Sequence, residues 1–185
     1  MKKILFAAVM IAGTFAVSNN VKAQSTSTAS TNVKITLSDF ITAHDGNGTT
    51  AGATPGSAAE VAFAYPDAAS YTVDQEVSKS KHLKVTATKS FSVNVKASGE
   101  NFTFGSGNTI PVSVMKIEAT PVGATASGIV DSLKNTDSSI LTGVTAGIKE
   151  IDVKYIIPAD RAQASILGKA SGAYTQTVVY TFSQP

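Results

Sequence analysis

Lys81-His82-Leu83-Lys84-Val85-Thr86-Ala87-Thr88-Lys89-Ser90-Phe91-Ser92-Val93-Asn94-Val95-Lys96-Ala97 is the most strongly patterned stretch of the chain. Leu83, Val85 and Ala87 take alternate places among polar residues, and Phe91, Val93 and Val95 do the same after Thr88-Lys89-Ser90. A period of two belongs to a strand with one face on a core and one in water. The stretch therefore predicts two strands joined by a tight turn or bend. His82, opposite Leu83 in that alternation, is expected to face solvent, with no carboxylate partner.

Working outward, Val33, Ile35 and Leu37 alternate with Lys34, Thr36 and Ser38, which predicts a first strand. Residues 44–57 are rich in Gly, Thr and Asn and read as a polar loop, and Val61, Phe63 and Tyr65 resume the alternation before Pro66 ends it. Ile110, Val112 and Val114 predict another strand, with Pro111 favouring an edge, and the shift of parity to Met115 and Ile117 predicts a β-bulge. Residues 129–133 and 140–141 are shorter candidates, and residues 143–147 form a turn. Ile151, Val153, Tyr155 and Ile157 make a strong strand up to Pro158. Residues 160–167 favour one or two helical turns capped by Asp160. Tyr174, Val178, Tyr180 and Phe182 then share one face of a long closing strand.

Roughly eight to ten short strands at about 10-residue spacing, with almost no helix, predict an all-β, antiparallel Greek-key sandwich of immunoglobulin-like type. A β-barrel is the alternative architecture. Short strands without aromatic girdles fit an outer-membrane barrel poorly. No tandem repeat breaks the chain, so residues 33–185 read as one domain.

The first 23 residues have the three parts of a secretory signal peptide. Lys2 and Lys3 precede an apolar run from Ile4 to Val17, and a polar stretch then ends in Val21-Lys22-Ala23. The run is shorter than the roughly 20 residues a membrane span needs. Cleavage would leave a Ser/Thr-rich leader at residues 24–32, whose composition favours no packed structure. It would also remove Lys2, Lys3 and Lys22 and turn a formal charge of +2 into −1, which removes the case for nucleic-acid binding. The chain has no Cys, which excludes disulfides, a lipid anchor on cysteine and thiol chemistry. Export would place it in the periplasm, on the cell surface or outside the cell.

Gly168-Lys169-Ala170-Ser171-Gly172-Ala173-Tyr174-Thr175-Gln176-Thr177-Val178-Val179-Tyr180 resembles the closing strand of bacterial pilin-like and spore-coat-U-like β-sandwich domains. Gly172, Tyr174, Thr177, Val178 and Tyr180 carry the match. In that pattern the Gly turns the chain into the strand, the Tyr packs at its start and Thr faces outward. The cysteines of that family are absent. The resemblance implies an immunoglobulin-like sandwich at a bacterial surface or in a fibre, held together where one subunit's N-terminal segment completes its neighbour's sheet. Val33, Ile35 and Leu37 are then the candidate donor strand. The plainer reading makes them the first strand of their own domain.

Little in the residue inventory points to catalysis. Asp45 and Asn47, in His44-Asp45-Gly46-Asn47-Gly48, offer oxygens at alternate positions as a calcium loop does, but no later acidic ligand follows through Ala59. No Gly-x-Ser-x-Gly elbow presents a nucleophile, and the acids form no evident pair. Lys79, Lys81, Lys84 and Lys89 either meet an anionic glycan or guard an edge strand from stray pairing. Tyr65 and Tyr71 are candidate sugar-stacking residues, to be taken with Lys81 and Lys84. The sequence thus points to a non-enzymatic structural or adhesive surface protein without cofactor, partnered by copies of itself. A secreted glycan- or peptidoglycan-binding module is the alternative.

Overall fold

The computed structural model describes residues 34–45 and 60–185. The expected signal peptide and leader, Val33 and Asn47 lie outside them. Strand β1 (Ile41–Asp45) leads to a 3-10 turn (Ala69–Tyr71), then β2 (Gln75–Ala87) and β3 (Phe91–Ala97). A hairpin of β4 (Asn101–Phe104) and β5 (Asn108–Pro111) follows, then a second 3-10 turn (Val112–Val114), β6 (Lys116–Pro121), β7 (Gly128–Val130) and β8 (Ser138–Val144). The chain ends with β9 (Gly147–Ile157), the helix α1 (Ala159–Ser165) and β10 (Val178–Ser183).

The protein is all-β in character, and its sheets are antiparallel. One sheet has the order β1-β2-β9-β6-β7 and a second β10-β3-β8, with the β4-β5 hairpin apart. Ser38–Pro185 forms one compact unit. Both large sheets feed a single core: Leu83, Val85, Ile117, Ile151 and Val153 come from the first, and Phe91, Val93, Val95 and Ile140 from the second. Alternation in the sequence becomes alternation of burial, clearest in β3, where Phe91, Val93, Val95 and Ala97 are buried and the residues between are not. A smaller cluster of Ile110, Val114, Ile157 and Ala162 closes the end beneath α1.

Several expectations are corrected by these contacts. Residues 34–37 join no ladder, and the first strand among the described residues begins at Ile41. The two strands expected over residues 81–97 are present and joined by a bend, but they belong to opposite sheets, so Thr88-Lys89-Ser90 bridges the layers. That bridge is tied down by Phe40, whose amide donates to Thr88 Oγ1 at 3.0 Å and whose carbonyl accepts the Thr88 amide at 3.1 Å. Val112 and Val114 sit in a 3-10 turn, not in a strand, and this turn rather than a bulge shifts the parity to Met115 and Ile117. Asp160 lies in the first turn of α1 without capping it; Asp74, from another segment, accepts the Ala159 amide at 2.8 Å. The closing strand starts at Val178, later than expected, with Tyr174 ahead of it.

Candidate functional site

The bulge in β2 governs the geometry around it. Lys79 pairs with Val153 and Leu83 with Ile151, so four steps along β2 match two along β9. Lys81 takes up the slack in the left-handed region, at φ 51, an unfavourable conformation for a residue with a Cβ. Asp152 holds it there: its Oδ1 accepts the Lys81 amide at 2.7 Å and the Ser80 hydroxyl at 3.3 Å. The Lys81 ammonium reaches Glu150 at 2.9 Å, a hydrogen bond that raises its pKa.

Because the bulge breaks the alternation, His82 and Leu83 are both buried. His82 was expected in solvent; instead its Nε2 lies 3.0 Å from the Tyr155 hydroxyl. That hydroxyl is in turn 2.8 Å from the Tyr180 hydroxyl. The resulting chain runs from β2 through β9 to β10 and joins the two sheets by polar contacts inside an apolar core. Burial pushes the Tyr155 phenol up to about 12 and the Tyr180 phenol well above its ordinary value. Sequence reading missed this group, since nothing in the local pattern marks two extra residues in β2. The one available signal was the run Lys79-Ser80-Lys81-His82, which interrupts apolar alternation.

The closing segment is anchored residue by residue. A Cβ on Gly172 would run into the Phe104 ring, so Gly is needed there for close approach. The chain bends at Ser171-Gly172, as expected of the turn into the closing strand, but the φ of Gly172 is not in the left-handed region, so it is this close approach that requires Gly. Tyr174 packs on Phe104 with ring centroids 5.5 Å apart and donates to the Ala170 carbonyl at 2.9 Å. The Thr177 carbonyl accepts the Ser98 amide at 2.9 Å, after which Val178 pairs with Ala97 and Tyr180 with Val95. Val178, Tyr180 and Phe182 are partly buried against the main core.

Tyr65 and Tyr71, expected as a surface for sugars, pack on each other with centroids 4.7 Å apart and lean on the smaller cluster. The Tyr65 hydroxyl is buried without a hydrogen-bond partner among the described residues, and burial, aided by Tyr71, pushes it up to about 12. Lys81 is committed to Glu150, and Lys84 lies on the half of β2 that pairs with β1. The lysines therefore do not guard a common edge. Lys89 contacts Asp39 at 2.6 Å, and among the described residues only Lys79 of the four pairs with β9 at a position that β1 does not reach.

Residues 34–40 are all exposed, and Ile35 and Leu37 are 79% and 89% exposed. Among the described residues β1 pairs only with positions 83–87 of β2, so positions 75–79 are bonded on the β9 side alone. His44 and Asp45 pair through their backbones with Lys84 and Leu83. Among the described residues no group of three or more His, Cys, Asp or Glu is placed to hold a metal ion, and no helix is long and apolar enough to cross a membrane. No family model, curated protein or solved structure matches the chain.

Proposed function

We propose that this chain is an exported, non-enzymatic structural or adhesive subunit of a bacterial surface, built on a Greek-key, immunoglobulin-like sandwich and assembled by strand exchange. One observation carries the reading: Ile35 and Leu37, at strand spacing, are almost wholly in water and join no ladder of their own chain. Burying each such side chain is worth roughly 1.5–3 kcal/mol, a standing incentive for a partner to cover them. An extended segment with alternate apolar residues is the form in which one chain adds a strand to another's sheet. The glycan-binding alternative is weaker because Tyr65 and Tyr71 use their ring faces on each other.

Purified protein should yield multimers that resist mild detergent and collapse on boiling, with filaments visible by electron microscopy. Deleting residues 25–37 should abolish them. A strictly monomeric protein at high concentration, or a polymer unchanged by the deletion, would sink the reading. Binding on a glycan array that is lost in Tyr71→Ala would favour the alternative.

A further inference from the structure

Residues 60–65 form an extended strap. Val61, Phe63 and Tyr65 are half-buried and Glu60, Ala62 and Ala64 exposed, the alternation of a strand, yet none of the six residues joins a ladder. Val61 and Phe63 pack on the main core, and Phe63 and Tyr65 on the smaller cluster that contains Ile157. Ile157 is the register partner of Gln75. Phe63 and Tyr65 thus share a cluster with Ile157, whose partner Gln75 lies in the half of β2 that β1 leaves unpaired among the described residues. Among the described residues the strap joins no strand ladder, and the Tyr65 hydroxyl is buried there without a hydrogen-bond partner.

We propose that the strap is a placeholder, displaced when residues 33–37 of a second copy pair with β2 at positions 75–79, which among the described residues are bonded on the β9 side alone. The inference rests on the strand-exchange reading and names its acceptor. Val33, Ile35 and Leu37 repeat the spacing of Val61, Phe63 and Tyr65, and all three are aliphatic, so none brings a hydroxyl into the core. Ile35 and Leu37 are uncovered in their own chain. The exchange trades a strap held by side chains for a strand held by side chains and backbone together.

The test adds a labelled peptide of residues 31–40 to the monomeric fraction of the full chain, read by fluorescence anisotropy and by amide hydrogen exchange. Binding should deprotect residues 60–65 and protect residues 75–79, while a peptide with Ile35→Asp and Leu37→Asp should not bind. Phe63→Ala weakens the resident strap and should tighten peptide binding roughly tenfold, since apparent affinity scales with the fraction of open slots. Val61→Thr, a near-isosteric change, should shift it in the same direction if Phe63→Ala does not fold. A peptide that binds without altering exchange in the strap, and equally well to both variants, overturns the placeholder and leaves strand exchange standing. A peptide that does not bind also overturns it, and whether the full chain forms multimers then decides whether the strand-exchange reading falls too.

Discussion

At Asp152 a single carboxylate oxygen bonds both the Lys81 amide and the Ser80 hydroxyl, which is how a lysine is kept at φ 51 beside the core. Asp152→Ala removes both bonds, and we expect a loss of about 1–3 kcal/mol in urea unfolding. Asp152→Asn keeps an acceptor at the same place and should recover most of it. Equal losses in the two variants would show that the charge, not the hydrogen-bond geometry, holds the bulge. Gly172 is constrained differently, by the ring of Phe104 against its Cα. Gly172→Ala should cost about 1–3 kcal/mol by overpacking, and Phe104→Leu in the same chain should restore part of it. A fully additive double variant would mean that the two residues do not meet.

At the scale of elements, the Tyr155–Tyr180 contact links β9 of one sheet to β10 of the other. Burial raises both phenols above the ordinary value near 10. A raised pKa in the fold means that the unfolded chain loses these protons first. The stabilisation is therefore complete below pH 10 and is lost as the pH climbs through about 12. Circular dichroism should show unfolding in that window, in step with phenolate absorbance, and Tyr180→Phe should move the midpoint upward. Phenolate formation on a fully folded protein would contradict this. Lys79 lies where β2 has one neighbour among the described residues, and a charged residue there discourages stray pairing. Lys79→Val should raise self-association in light scattering, and unchanged scattering would show that the edge is already shielded. Alternation made most of these strands legible: Leu83, Val85, Phe91, Val93, Ile151 and Val153 are core residues as their spacing predicts. Pairing was not legible, because the same pattern serves a hairpin and a bridge between sheets; residues 88–90 form such a bridge. His82 was misplaced because a period of two cannot show where extra residues enter a strand. Tyr65 and Tyr71 were read as exposed because amphipathic side chains fit either setting.

At the scale of the whole molecule, the connections from β2 to β3, β7 to β8 and β8 to β9 each change sheet, so few strands can pair with the strand just made. β10 must find β3, and β9 must find both β2 and β6. Closing such long segments costs chain entropy before the core rewards it. Refolding from urea in stopped-flow fluorescence should accordingly take milliseconds to seconds, the range of β proteins dominated by distant contacts. The absence of Cys means that added reductant should leave the rate unchanged. Phe91 is wholly buried between the sheets, and Phe91→Ala should lower stability by about 3–5 kcal/mol. If docking of the two sheets is the rate-limiting step, that loss should fall mainly on the refolding rate and little on unfolding. Sub-millisecond refolding would show that the β6-β7 and β4-β5 hairpins form early enough to guide the rest. A Phe91→Ala effect confined to unfolding would place sheet docking after the barrier.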